Sequence, residues 1–373
     1  MELEIVCEWI EATGGAEKVL DAMIEAFPGS VVHTLWNDAP ERTRPTQVRE
    51  SWMANTPLRR AKALALPLMD PTWRTRRTAG SPSRVLVSSY VFAHHVRFVN
   101  LPDVPKYVYV HSPARYIWTP EFDSRGRSPL VRMSAPYWRN LDRRRAAEAH
   151  ELAANSEFVR QRIQMAWHRD ATVIHPPVDS GAIVEIVDWN DAVEGPDARR
   201  LATLPADFVL GASRLVGYKR LDAVIGFAKS VGLPAVIVGV GPDRQRLDHL
   251  AEDAGVPVHF LGALGSPALY ALYQRAAAFV FPPVEDFGIM PVEAMAAGGR
   301  VIVNRVGGTA ETVVDGLTGV HAVDFEGAGA RAALEAAARI DVGAARERAF
   351  AYDKSRYVSR LRGWMADDLS TAG

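Results

Sequence analysis

The chain has 373 residues, long enough for two domains, since single cores rarely grow past roughly 250–300 residues. Its 48% hydrophobic and 23% charged residues make an ordinary globular composition, and a net charge of −1 argues against wholesale nucleic-acid binding. A single cysteine, Cys7, excludes an intramolecular disulfide and suits a reducing cytoplasm.

The opening "MELEIVCEWIEA" lacks a basic stretch followed by an apolar one, so no secretory leader is expected. No apolar run approaches about 18 residues, so no membrane-spanning helix is expected and the protein should be cytoplasmic. The charge is unevenly spread. Residues 42–145 carry 20 basic against 6 acidic side chains, including "RTRR" at Arg74–Arg77 and "RRR" at Arg143–Arg145. Such a region suits an anionic partner, a phosphorylated acceptor or an anionic membrane surface, and equally suits a set of solvated helix faces.

In chain order, "LEIVCEW" reads as a strand, "EATGG" as a turn and "AEKVLDAMIEAF" as an amphipathic helix. "SVVHTLW", "RVLVSSY" and "KYVYVHS" continue the strand series, and "TPEFDSRGRSPLVRMSAP" (119–136) reads as a surface loop. "NLDRRRAAEAHELAANS" runs from helix into strand, and "ATVIHPPVD" closes this half with Pro176 and Pro177 as a stiff connection. A second series has strands in "FVLGASRL", "AVIVGVG", "VPVHFLGAL", "AAFVFPPV" and "RVIVNRVGG", with helices between them. The chain ends in an amphipathic helix, "KSRYVSRLRGWMADDL". Alternating strands and helices predict α/β architecture: two Rossmann-like parallel-sheet domains, 1–176 and 177–352, facing an interdomain cleft. The last helix, about 353–373, is expected to pack back on the first domain.

Three strand ends of the second half converge on one chemistry. In "GASRLVGYKRLD", Arg214 and Lys219 follow a strand and precede a helix, where a guanidinium and an ammonium can clamp a diphosphate. As exposed loop charges they would need no ligand. In "VGVGPDR", Gly239 and Gly241 permit close backbone approach, but Arg244 occupies the place of the third glycine of a dinucleotide fingerprint. In "PPVEDFGIMPVEAMAAGG", Glu285 ends a strand, the main chain of Phe287, Gly288, Ile289 and Met290 opens a helix, and Glu293 lies in its first turns. Free N–H groups there favour a phosphate, and Pro291 is tolerated because its missing N–H has no partner in the helix. Glu293 can complement the helix dipole or accept the vicinal hydroxyls of a ribose, and Glu285 those of a second sugar.

These motifs resemble family 4 retaining glycosyltransferases of the GT-B fold. "SRLVGYKRLD", "GVGPDRQRL", "HFLGAL", "EDFGIMPVEAMAAG" and "GGTAETVVDGLTG" match that family's donor domain in order, and "TGGAEKVL", "VYVHSPARYIW" and "LAANSEFVRQRI" extend the resemblance over nearly the whole chain. "HSPARYIW" with "HPPVD" is closer to bacterial mannosyltransferases of surface-polysaccharide assembly. The resemblance implies transfer of a hexose, mannose from GDP-mannose foremost, from a nucleotide-sugar to a saccharide or lipid-linked acceptor, with a UDP-hexose donor or a nucleotide-sugar epimerase as alternatives. It implies that Arg214 and Lys219 hold the diphosphate, Glu285 the transferred sugar and Glu293 the ribose. Phe260, Leu261 and Gly262 would border the base, with Gly241 nearby. Gly14 and Gly15 would approach the phosphates or acceptor, and His111 the reacting sugar, with Arg115 and Tyr116 as acceptor contacts. Asn304 and Val306 depart from the smaller or apolar residues common before the Gly-Gly turn. No metal and no cofactor are expected, since Arg214 and Lys219 can supply the positive charge. Nucleic acid is not an expected partner, and a peripheral location at the inner face of the membrane is compatible with the basic region.

Overall fold

The computed structural model describes residues 3–44, 46–78, 80–120 and 129–366. The chain divides into two compact units, Met1–Pro177 with Ser355–Gly373, and Val178–Lys354. The first unit is built on β1 (Leu3–Cys7), β2 (Val31–His33), β3 (Gln47–Arg49), β4 (Arg84–Ser89), β5 (Lys106–Val110), β6 (Glu151–Ala154) and β7 (Thr172–Val173). They form one sheet in the order β3-β2-β1-β4-β5-β6-β7. The second holds β8 (Val209–Ala212), β9 (Ala235–Val238), β10 (Val258–Gly262), β11 (Ala278–Phe281), β12 (Val301–Asn304) and β13 (Val320–Ala322), ordered β10-β9-β8-β11-β12-β13.

Every strand pair in both sheets is parallel. Parallel neighbours require crossover connections, and the intervening helices cover both faces of the sheet. The strands therefore read as continuous apolar runs whose side chains alternate between two layers. On β1, Val6 enters one core while Leu3, Ile5 and Cys7 enter the other; on β5, Val108 and Val110 oppose Tyr107 and Tyr109. In the second unit, β9 splits the same way, with Val236 and Val238 against Ala235 and Ile237.

Helix Lys354–Ala366 returns to the first unit. Tyr357, Leu361, Trp364 and Met365 recur at helical spacing and join the core under β1 and β5, with the Trp364 ring 5.2 Å from Tyr107. One expectation needs correction. Residues 121–128 of the segment read as a loop lie outside the described residues, but its last part, Pro129–Pro136, belongs to helix Pro129–Ala146. Helix Lys62–Arg74 tolerates Pro67 and Pro71 and buries Ala65, Met69 and Trp73 while leaving Leu64 exposed. Among the described residues no helix is long and apolar enough to cross a membrane.

Candidate active site

Strand order in the second sheet reverses between β8 and β11: connections from β8 run outward to β9 and β10, those from β11 to β12 and β13. Ligands of open parallel sheets bind beyond the strand ends at such a reversal. The loops after β8 and β11 carry Arg214, Lys219 and Glu285, so the charged residues singled out in the sequence stand at the switch point.

The loop after β8 is fixed by the one after β9. Ser213 N–H donates to Val238 O (3.0 Å), Leu215 N–H to Val240 O (2.9 Å) and Asp243 N–H to Leu215 O (3.0 Å). This approach needs glycine at 239: its φ is 132°, and a Cβ there would lie 1.8 Å from Ser213 O. Gly241 is under the same constraint, since a Cβ would meet Leu215 O at 2.3 Å. Arg214 is exposed, and its Nη2 donates to the Tyr218 hydroxyl (2.7 Å). A 3-10 turn at Gly217–Lys219 then passes into helix Leu221–Val231 through Arg220, which adopts the left-handed conformation at φ 54°. Lys219 Nζ lies 5.4 Å from the Tyr218 ring centre and donates to Glu285 Oε1 at 2.6 Å. Both side chains are mostly buried, 15% and 14% exposed, so this charge-assisted bond ties the ends of β8 and β11 together.

Beyond β11, the turn at Gly307–Gly308 packs against the Glu285–Phe287 main chain. Gly308 N–H donates to Glu285 O (2.8 Å), and a Cβ on Gly308 would lie 2.2 Å from Asp286 O. Asn304, one of the departures from the family pattern, braces this turn, since its Nδ2 donates to Pro282 O (2.9 Å) and its Oδ1 accepts from Val306 N–H (2.9 Å). Helix Ile289–Ala297 starts at Gly288, whose φ is 91° and which makes no side-chain cap bond. Its first N–H groups are thus not covered by a capping side chain, and the positive end of its dipole favours an anion. Pro291–Ala297 are all buried, Glu293 at 6% exposure among them. Burial, and next the Glu293 charge, push the Tyr270 and Tyr273 hydroxyls well above the usual range. Phe287 is buried against Tyr352, at 5.4 Å between rings, so its side chain belongs to the core. Ile289 and Met290 are half-buried.

Phe260, Leu261 and Gly262 lie on β10, the edge strand, where Gly262 O accepts from Gly239 N–H (2.8 Å). The Arg244 guanidinium stacks on the Phe260 ring at 4.1 Å from its centre. Sequence reasoning missed this contact and the Arg214–Tyr218 bond. An aromatic residue set between two cations, and a cation in place of the third fingerprint glycine, were the available signals.

In the first unit, Gly14 is the extended N-cap of helix Gly15–Ala26. Beneath that turn Glu17 is buried, and its Oε1 accepts from Glu11 N–H (3.3 Å). Burial raises the Glu17 pKa above the ordinary carboxylate value. His111 follows β5, with Nε2 2.8 Å from Ser88 Oγ and its carbonyl accepting from Asn155 Nδ2 (3.1 Å). Tyr116 is buried on the short helix Arg115–Trp118, and Arg115 is half-buried.

One group of described residues has the composition of a metal site: His94, His95 and Asp142. The indoles of Trp118 and Trp167 donate to Asp142 Oδ2 at 2.6 and 2.7 Å, and Oδ1 lies 3.0 and 3.2 Å from His94 Nε2 and His95 Nε2. His95 Nδ1 faces Asp70, His94 Nδ1 faces Ser89 Oγ, and Ser89 reaches buried Glu8. We read this cluster as a buried polar network, because both indoles and the His95 imidazole already serve the Asp142 carboxylate, with His94 Nε2 in ion-pair range of it.

The two parallel-sheet units are those of the GT-B fold. The chain superposes with a TM-score of 0.69 on a solved structure of Anabaena HepE in complex with UDP and glucose, at 17% identity over 98% of this chain and 99% of that one. It superposes with a TM-score of 0.71 on sucrose-phosphate synthase of Thermosynechococcus elongatus, at 17% identity over all of both chains. Residues 201–339 match the family model of glycosyl transferases group 1, and the chain resembles glycosyltransferases of that group, mannosyltransferases among them. One relative is the GDP-mannose-dependent alpha-(1-6)-phosphatidylinositol monomannoside mannosyltransferase of Mycolicibacterium smegmatis, 32% identical over 204 residues, 49% of this chain and 52% of that protein. The matched region thus spans about half the length of that curated relative.

Proposed function

We propose that this chain is a glycosyltransferase that moves a hexose from a nucleotide-sugar to a saccharide or lipid-linked acceptor. The reading is carried by the Lys219–Glu285 bond at the switch point of the second sheet, between the loop of Arg214 and the uncapped start of helix Ile289–Ala297. Breaking a sugar–phosphate bond builds negative charge on the leaving diphosphate while the sugar becomes oxocarbenium-like. Cations and helix N–H groups fixed where that charge grows stabilise the transition state most effectively. Arg214 and Lys219 supply them without a metal ion. Glu285 orients the transferred sugar, Glu293 takes the ribose and His111 contacts the reacting sugar. The sugar keeps its anomeric configuration, and the departing phosphate accepts the acceptor's proton.

GDP-mannose is the donor we favour, on the "HSPARYIW" segment and on the mannosyltransferase relatives. A UDP-hexose is the second reading, supported by the UDP complexes of HepE. The basic excess of residues 42–145 supports an acceptor at an anionic lipid surface. One set of assays tests the proposal. Calorimetry should show tighter binding of GDP than of UDP, and transfer should survive EDTA. Product should form only with acceptor present, faster on anionic than on neutral vesicles. Preference for UDP removes the mannose assignment, and an isomerised sugar nucleotide without acceptor identifies an epimerase instead.

A further inference from the structure

A cavity of about 470 Å³ opens at the β3 edge of the first sheet, lined by no residue of the candidate site described above. Arg49 closes β3, Arg76 and Arg77 follow helix Lys62–Arg74, and His33, Ser51 and Trp52 complete the principal walls. Its size lies within the usual range of small-ligand pockets.

Two acidic side chains stand near these guanidinium groups, Glu4 outside the lining and Glu50 on the cavity wall itself. Glu4 Oε2 lies 3.1 Å from His33 Nε2, and its other oxygen accepts from Thr78 Oγ1. Glu50 is exposed, and its Oε1 accepts from Asn37 N–H at 2.6 Å. Arg76 is held by main-chain carbonyls, of Glu50 (2.9 Å) and of Arg49, and its Nη2 sits 3.1 Å from His33 Nδ1, an acceptor toward a guanidinium. Among the described residues no carboxylate forms an ion pair with Arg49, Arg76 or Arg77. The Nε atoms of Arg49 and Arg76 are buried without a hydrogen-bond partner. Burial, then the charge of Arg49, lowers Arg76 to about 10, which leaves it cationic at neutral pH. The three guanidinium groups crowd positive charge at one cavity, which Glu4 offsets only in part and a bound anion would relieve. The planar guanidinium fork matches phosphate oxygens. Trp52 is 53% exposed, with its indole fixed by a 3.1 Å bond from Nε1 to Thr72 Oγ1, and offers a flat apolar wall beside the charges.

We propose that this cavity is a second ligand site, which takes a phosphate monoester with its oxygens on Arg49, Arg76 and Arg77 and its carbon portion against Trp52. The monoester can be a soluble metabolite or the head group of a lipid phosphate, which present the same chemistry. Calorimetric titration of the full chain with glycerol 3-phosphate at low ionic strength tests it, with Trp52 fluorescence as a second readout. Saturable binding is expected, weakened at least tenfold by Arg49→Gln and by Arg77→Gln, with GDP and UDP binding unchanged. Arg77 is exposed, so its variant keeps the fold if Arg49→Gln does not. Flotation with phosphatidic acid vesicles separates the sources. Loss of flotation in Arg77→Gln and competition by glycerol 3-phosphate identify the lipid; equal flotation of wild type and variant identifies the soluble ligand. Absence of saturable binding, or equal affinity in wild type and Arg77→Gln, overturns the proposal.

Discussion

Lys219 and Glu285 form a mostly buried ion pair, so under the proposed roles removing the carboxylate would both take a sugar contact away and free a cation beside the diphosphate. If Glu285 follows the sugar as it flattens, Glu285→Ala lowers kcat more than it raises KM. If Glu293 holds the ribose equally in ground and transition states, Glu293→Ala chiefly raises the donor KM. A charged hydrogen-bond partner is worth roughly 1.5–3 kcal/mol, about tenfold or more in each case. Because Glu293 is buried, Glu293→Gln separates the lost charge from a packing defect. Steady-state kinetics reads both, and a Glu285→Ala variant altered only in KM would remove its assigned role. His94 makes a prediction about stability. Burial, opposed by Asp142 and reinforced by His95 and Lys106, pushes His94 down from 6.5 to about 4. Between those values the unfolded chain takes the proton and the folded one does not, so this contribution is complete above pH 6.5 and lost as pH falls toward 4. The shift corresponds to on the order of 3 kcal/mol. Denaturant unfolding across that window should show a steeper acid loss for wild type than for His94→Gln.

At the scale of elements, the site is a set of loops whose main chains touch, and glycine is what lets them do so. Gly239→Ala must place a methyl group against Ser213 O at a positive φ, so the loops after β8 and β9 have to separate. Gly255 also has a positive φ, 71°, but nothing lies within 4 Å of an added Cβ. Gly255→Ala should therefore cost only the backbone strain, about 1 kcal/mol, and leave nucleotide binding intact. Gly239→Ala should cost more than about 3 kcal/mol and weaken nucleotide binding as Arg214 and Lys219 shift. Urea unfolding and nucleotide titration of the two variants make the comparison, and equal effects would contradict it.

On the scale of the whole molecule, the C-terminal helix matters most. Residues from Ser355 onward belong to the first unit although they follow the second in the chain. Deleting them strips Tyr357, Leu361, Trp364 and Met365 from the core beneath β1 and β5, together with the bond from Arg362 Nε to Ala26 O (2.9 Å). Burial of each large apolar side chain contributes about 1.5–3 kcal/mol, so the loss should be several kcal/mol. It should fall on the first unit alone, since the second keeps both of its cores. Scanning calorimetry of the chain truncated after Lys354 should show one transition lowered and one retained. A uniform shift would mean that the two units unfold together.

The sequence by itself determined the features whose causes are local. Apolar runs broken by glycine and proline announced the parallel strands, because a strand covered on both faces is apolar at every position. Charges and glycines just beyond those runs announced Arg214, Lys219, Gly239, Glu285 and Gly288, since strand ends and helix starts impose their own chemistry. Strands β3 (QVR) and β13 (VHA) were not legible: β2 is as short but opens with two apolar β-branched residues, whereas these two offer neither a run nor a period, and only pairing with a neighbour defines them. Helix Pro129–Ala146 was hidden in part by Pro129 and Pro136, and its tertiary contacts override local propensity. The partnership of Lys219 with Glu285, 66 positions away, was decided only by the fold. So were the chain from Glu8 through Ser89 and His94 to Asp142 and the cavity of Arg49, Arg76 and Arg77. Each joins residues from separate elements, and which of them meet is set by strand order and helix packing rather than by any spacing along the chain.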